Sequence, residues 1–244
     1  MRLVTYEVEH KGGLGVISKD GKWVYPLRSL DMDYKTMQEL IEGISESEKQ
    51  LLEYVSGQDP YKIRGAAPIE EVRFLAPIKN PKQDVICLGI NYMDHAEESA
   101  RYKKEAFGGE RPYAVYFSKR VNESVANGDG IQSHSDIVTD LDYEVELAVV
   151  LGRDALHVRE EDVGDYIFGY SVANDVSARD VQYRHKQNFL GKSLDTIFCH
   201  GAGHCHCGRI PLPARAIHQK LCQRRAAAEQ RDGPGVLQYP PHRQ

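Results

Sequence analysis

Apolar and polar positions alternate across residues 142–151, with Tyr143, Val145, Leu147, Val149 and Leu151 on one side and Asp142, Glu144, Glu146, Ala148 and Val150 on the other. A period of two over this length predicts a strand whose Tyr143-to-Leu151 row packs on a core. Glu144 and Glu146 then point the same way, with Cα atoms about 6.5 to 7 Å apart, two strand rises. Their face runs on into Ala148 and Val150, so the strand is expected to be covered on both sides. An uncompensated carboxylate pair there costs several kcal/mol, so a cation is expected between the two glutamates. An edge strand with its acidic face in water is the alternative.

The same reading gives short strands at 3–8, 14–17 and 23–25, with a turn at 19–22. Met37, Leu40, Ile41 and Ile44 have helical spacing, and Ser47 is placed to cap a second helix carrying Leu51, Leu52 and Val55. Nothing in residues 1–74 clusters polar groups for chemistry, which suggests a small structural module. Two prolines in 74–81 mark the linker. The second domain, 75–196, opens with an apolar strand over 85–90 and has another over 114–119 that ends in Lys119. A strand over 166–173 leads to Asp175, where Ser177 is placed to cap a helix carrying Arg179, Asp180 and Gln182 in its first turns.

Composition adds exclusions. A net charge of -5 argues against a nucleic-acid-binding surface. No apolar run approaches the roughly 20 residues needed to span a bilayer, and the first residues lack a signal-peptide core, so a cytoplasmic location is expected. The candidate chemistry lies in acids and bases. If residues 91–98 are helical, His95 and Glu98 share a face, and a carboxylate beside an imidazole raises its basicity, as a general base requires. The charged run 97–109 reads as a surface loop or a lid.

Four motifs carry a family resemblance: Gly89-Ile90-Asn91-Tyr92-x-x-His95, residues 142–147 (DYEVEL), residues 169–180 (GYSVANDVSARD) and residues 191–196 (GKSLDT). In order and spacing they resemble the fumarylacetoacetate hydrolase family over about residues 70–196. The resemblance implies an α+β, predominantly β fold, a mixed β-sandwich roll carried by a small N-terminal β/α module, and a homodimer. It implies a divalent cation held by Glu144, Glu146 and Asp175, His95 and Glu98 as a water-activating pair, Lys192 as a catalytic cation, and Gln182 and Lys119 as substrate contacts. A set of three carboxylates with no thiol or imidazole suits Mg²⁺ first, and Mn²⁺ or Ca²⁺ next. The implied substrate is a 2-oxo or 2,4-dioxo acid, and the expected reaction is hydrolytic C–C cleavage of an acylpyruvate or fumarylpyruvate. A 2-hydroxyhepta-2,4-diene-1,7-dioate isomerase and a 2-oxo acid decarboxylase are the alternatives. With three carboxylates together, Glu144→Gln is expected to stabilise the metal-free chain by relieving repulsion.

Residues 197–244 differ from the rest. They hold four of the five cysteines, five of the ten histidines and only two acids, Glu229 and Asp232. Residues 1–196 carry 34 acids against 24 Lys+Arg, net -10, whereas the last 48 carry 2 against 7, net +5. Cys205, His206 and Cys207 are crowded for a tetrahedral site and lack zinc-ribbon spacing. Synonymous codons exist for this tail whose second-base frame reads as a Met-Gly-Pro turn, a strand and a Val-Asn-Gly-Glu hairpin, text that resembles the family's continuation. The expectation is a tail translated out of frame after one extra base near the Thr196 codon, with the family's later strands missing, no packed native structure in the tail, and an inactive product as the alternative function. Resequencing the source gene is expected to find that base, and an intact frame through Gln244 with a matching intact mass would reject it.

Overall fold

The computed structural model describes residues 1–89 and 115–201, together with the strand residues 204–205 and 236–237. His95, Glu98, the run 97–109 and most of the tail lie outside the described residues.

The N-terminal alternation becomes a meander. β1 (Arg2–Val8) and β2 (Lys11–Ile17) pair antiparallel from Leu3 opposite Val16 to Val8 opposite Lys11. β3 (Trp23–Pro26) joins β2, and the short β4 (Ala67–Pro68) joins β3. Thr36 caps α1 (Met37–Gly43) by accepting from the Glu39 N–H. Ser45, rather than Ser47, caps α2 (Glu46–Val55). Ser45 and Glu48 have the spacing of a capping box, and each side chain accepts from the other's backbone N–H. The helical apolar positions Leu40, Ile41, Leu52 and Val55 bury against Leu3, Leu14, Val16 and Tyr25. A fully buried side chain of this kind contributes about 1.5–3 kcal/mol. Phe168 and the flank of Val150 belong to the same cluster, so this core extends into the second half of the chain.

The site-bearing strands follow. β5 (Arg73–Phe74) pairs with β1, while β6 (Val85–Gly89) and β7 (Val115–Lys119) form a two-stranded antiparallel sheet of their own, with Cys87 opposite Phe117. β8 (Ile131–Gln132) and β9 (Leu141–Asp142) are short. β10 (Val145–Leu151) runs antiparallel to β11 (Ile167–Asp175), with Val145 opposite Asn174 and a register shift between Val150 and Leu151. β12 (Ser177–Ala178) pairs with β9 and leads into α3 (Arg179–His185) and α4 (Asn188–Lys192). β13 (Phe198–His200) and β14 (His204–Cys205) lie on the far edge of β11, and β14 also pairs with β1. With Ile197 and Phe198 buried, the start of the tail is packed, against the expectation that none of it would be, because the edge of β11 offers it backbone partners. Among the described residues this gives a nine-stranded sheet in the order β10-β11-β14-β1-β2-β3-β4, with β5 and β13 attached. Mostly strand with a few short helices, the chain has the α+β class read from its motifs. Among the described residues no helix is long and apolar enough to cross a membrane.

Two local expectations change. The covered side of β10 is the one carrying Glu146, Ala148 and Val150: Ala148 packs on Ala173 and Phe198, and Val150 on the N-terminal core, whereas Val145, Val149 and Leu151 are 37%, 51% and 53% exposed. Alternation fixes that two rows exist. Which row is covered depends on what packs across them, here the sheet's own curl with Phe198 and Val121. Ser177 caps nothing, because pairing with β9 keeps it extended, and its hydroxyl donates to the Asp175 carbonyl at 2.9 Å.

The β1–β2 turn carries strain that sequence can relieve. Glu9 and His10 both have left-handed backbone, φ 49° and 63°, in a two-residue turn that favours Asn-Gly. Glu9→Asn with His10→Gly is expected to stabilise the fold by about 1 kcal/mol, read as a rise of a few degrees in Tm.

Candidate active site

The site is assembled where β11 ends. Asp175 is the last residue of that strand and is 5% exposed. Its N–H donates to the Glu144 carbonyl at 2.8 Å, and the Glu144 N–H donates to the Asn174 side-chain oxygen at 2.9 Å. These bonds extend the β10–β11 ladder by one residue and hold Glu144 beside Asp175. Glu146 lies two residues further along, opposite Ala173.

A chain of alternating charges runs through this point. The Arg179 guanidinium donates to Asp142 at 2.8 and 3.0 Å and also to the Glu144 carboxylate. The other oxygen of Glu144 accepts from the Lys192 ammonium, which also donates to Asp175 Oδ2 at 2.7 Å. Asp175 Oδ1 is 2.7 Å from Lys119 Nζ, whose ammonium donates to the Val176 carbonyl at 2.9 Å. That last carboxylate contact is an ion pair by distance although it lacks hydrogen-bond angles. The distance decides, because it sets the Coulomb energy. The order is therefore Asp142, Arg179, Glu144, Lys192, Asp175, Lys119.

Burial sets the electrostatics. Lys119 is fully buried, and desolvation lowers its pKa against the pull of Asp175. Burial also disfavours the charge on Arg179, but Glu144 and Asp142 outweigh it and raise its pKa. The β6–β7 pair lines the cluster: the Phe117 ring lies 5.3 Å from Lys192 Nζ, and burial, with Asp175 nearby, pushes the Cys87 thiol up to about 12. That thiol is neutral at physiological pH and serves as a wall.

Helices α3 and α4 deliver the cations. Arg179 Nη1 donates to Gln182 Oε1 at 3.1 Å, and Gln182 Nε2 donates to Asn188 at 3.2 Å, which ties the two helices together. Gly191 allows their contact, since a Cβ there would stand 2.8 Å from the Ala178 carbonyl and 2.5 Å from the Gln182 side chain. The neighbouring Ser193 hydroxyl accepts from the Arg120 N–H at 3.0 Å, pinning the end of α4 to β7.

Of the residues singled out from sequence, the structure brings Glu144, Asp175, Lys192 and Lys119 into contact, with Glu146 on the same strand. Gln182 stands one residue away, bonded through Arg179. His95 and Glu98 lie outside the described residues. Arg179 and Asp142 were legible only as members of their motifs; a cation four residues after a buried strand-end aspartate was the available signal. An all-oxygen donor set of Glu144, Glu146 and Asp175 fits a hard cation chemically. Among the described residues no group of three or more His, Cys, Asp or Glu side chains is drawn together tightly enough to hold a metal, because the carboxylates reach towards lysine and arginine instead.

This pairing reverses one expectation. Glu144 does not sit among unrelieved like charges, since its two oxygens hold two cations whose side chains are 20% and 3% exposed. Glu144→Gln, assayed by thermal melting without added divalent metal, is expected to destabilise the fold by about 3 kcal/mol through unpaired buried charge. An unchanged or raised Tm would show that the carboxylate repulsion dominates.

Comparison with known proteins agrees with the motifs. The model of the fumarylacetoacetate (FAA) hydrolase C-terminal family matches residues 84–221, past the point at Ile197 where the resemblance was expected to stop. The oxaloacetate tautomerase YisK of Bacillus subtilis is 36% identical over 225 residues, covering 88% of this chain and 73% of that protein. The mitochondrial oxaloacetate tautomerase Fahd2a of Rattus norvegicus is 36% identical over 204 residues, and this chain spans 60% of its length. Among solved structures, fumarylacetoacetate hydrolase from the psychrophile Exiguobacterium antarcticum superposes with a TM-score of 0.63 at 30% identity, covering 84% of this chain and 66% of that one. These relatives bear the names of enzymes, and with the ordered motifs on the strands that build the site, the chain belongs to the fumarylacetoacetate hydrolase family.

Proposed function

We propose that this chain interconverts the enol and keto forms of a small 2-oxo acid, with a 2-oxo dicarboxylate of the oxaloacetate class as substrate. The observation that carries this reading is the 36% identity to an oxaloacetate tautomerase across 88% of the chain. In this proposal Glu144, Glu146 and Asp175 hold a divalent cation, Mg²⁺ first and Mn²⁺ or Ca²⁺ next, which would supply Lewis-acid charge beside the 2-oxo oxygen.

The chain's own groups account for the rest. Lys192 and Arg179 hold positive charge beside the carboxylates, which attracts an anionic substrate and favours an enolate oxygen over a neutral carbonyl. Tautomerisation then needs one group to exchange a proton with the enol oxygen and with C3. The proposal gives that task to His95 and Glu98, because a carboxylate-supported imidazole both takes and returns a proton near neutrality. No C–C bond breaks and no water is consumed. The Phe117 and Cys87 wall keeps one side of the cluster apolar, which strengthens the electrostatics.

A second reading is hydrolytic C–C cleavage of an acylpyruvate-like 2,4-dioxo acid, and the 30% identity to the Exiguobacterium hydrolase favours it. The same pair would then activate water. The proposal includes a homodimer, supported by the outward apolar row of Val145, Val149 and Leu151 on β10, with exposed Tyr143 just before it.

The test follows enol absorbance of oxaloacetate with the chain and Mg²⁺, then after EDTA. Acceleration over buffer that EDTA removes, and that Lys192→Met lowers by about 100-fold, is the expected result; such a loss is typical when a group stabilising transition-state charge is removed. Cleavage of an acylpyruvate without any effect on the enol would replace the first reading by the second. Turnover of neither would favour the inactive product.

A further inference from the structure

Lys192 has an unusual set of partners. Its ammonium donates to one oxygen of Glu144, to Asp175 Oδ2 at 2.7 Å and to the Asp175 carbonyl at 3.5 Å, and its side chain is 3% exposed. All three oxygens belong to two residues that the proposed function gives to a divalent cation. An ammonium held at these distances occupies nearly the space of a calcium-sized ion, whose oxygen ligands lie at about 2.3–2.6 Å.

The neighbouring cations are anchored differently. Arg179 is held by Asp142 through two nitrogens and by Gln182. Lys119 is fully buried, with the Val176 carbonyl as a partner outside the carboxylates and the Phe198 ring 5.9 Å away. Among the described residues the Lys192 ammonium hydrogen-bonds within the seat alone, with the Phe117 ring 5.3 Å away, and its backbone lies at the last position of the five-residue α4. An ammonium and a divalent ion crowded onto the same carboxylate oxygens repel each other, and the repulsion rises as their separation falls. Of the three cations, Lys192 is the one whose hydrogen bonds among the described residues a competing ion would take over entirely.

We propose that the Lys192 ammonium and a divalent cation are alternative occupants of the seat between Glu144 and Asp175, so that metal entry drives Lys192 off both carboxylates. This inference rests on the metal-dependent reading above and adds an order to it: loading of the metal frees the amine that the reaction needs. It also makes the seat self-neutralising, so the carboxylates need no metal to be buried.

The test uses the whole chain and Mn²⁺ alone. Uptake is followed by loss of the free Mn²⁺ signal in electron paramagnetic resonance, and amine exposure by acetylation with N-hydroxysuccinimidyl acetate and peptide mass spectrometry. Saturating Mn²⁺ is expected to raise Lys192 labelling several-fold while Lys119 labelling stays unchanged. Lys192→Met, which removes the competing charge, is expected to bind Mn²⁺ roughly tenfold more tightly. Unchanged Lys192 labelling in protein that has taken up Mn²⁺ would overturn the exchange and leave the metal-dependent reading standing. No uptake by the folded wild-type chain would overturn both. The labelling experiment needs no variant, so misfolding of Lys192→Met cannot rescue or sink the idea.

Discussion

A buried carboxylate must be compensated, and that constraint shapes the second half of this chain. Asp175 is enclosed at the end of β11, and Glu144 is fixed beside it by backbone bonds, so three cations are recruited from three other elements: Lys119 from β7, Arg179 from α3 and Lys192 from α4. Withdrawing an ion from water costs several kcal/mol, and attraction inside the protein returns a comparable amount only when geometry is good. Such a cluster contributes little net stability. It does make its members interdependent, since removing one leaves its neighbour buried and unpaired.

The rest of the fold supplies that geometry. β11 is buried and paired on both edges, with β10 on one and β13 and β14 on the other, so the residues at its end have little freedom. The close contact at Gly191 and the Arg179–Gln182–Asn188 link fix α4 relative to α3. The paired strands β6 and β7 bring Lys119, Phe117 and Cys87 to the cluster. The N-terminal meander is joined to this assembly through the β14–β1 pairing and a shared apolar cluster. Chemistry at the site therefore depends on packing far from it.

Legibility followed the range of the interaction. Strand existence at β1, β2, β6, β7, β10 and β11 was readable because side-chain alternation is local, and α1 and α2 were readable from apolar spacing three and four residues apart, which is local too. The capping serine was missed by two positions because Ser45 and Ser47 are chemically equal and only the bond to Glu48 separates them. The Ala148 and Val150 side of β10 is covered as its apolar continuation implied, but the Val145, Val149 and Leu151 row expected on the core is exposed, since apolar letters alone do not say which row another element packs across. Arg179 was visible as a letter in a motif and gained a role only when Asp142 and Glu144 were found on its guanidinium.

What the sequence determined by itself is the inventory: two glutamates on one side of a strand, an aspartate at the end of the next, and motifs spaced as in the fumarylacetoacetate hydrolase family. Residue spacing along a strand fixes which side chains share a face, and this needs no tertiary contact. What the tertiary structure decided is the pairing. The sequence called for a cation between Glu144 and Glu146, and folding instead brings Lys192 between Glu144 and Asp175, across 48 residues from the first and 17 from the second. Contacts over such separations are set by how sheets and helices pack, and no local pattern encodes them.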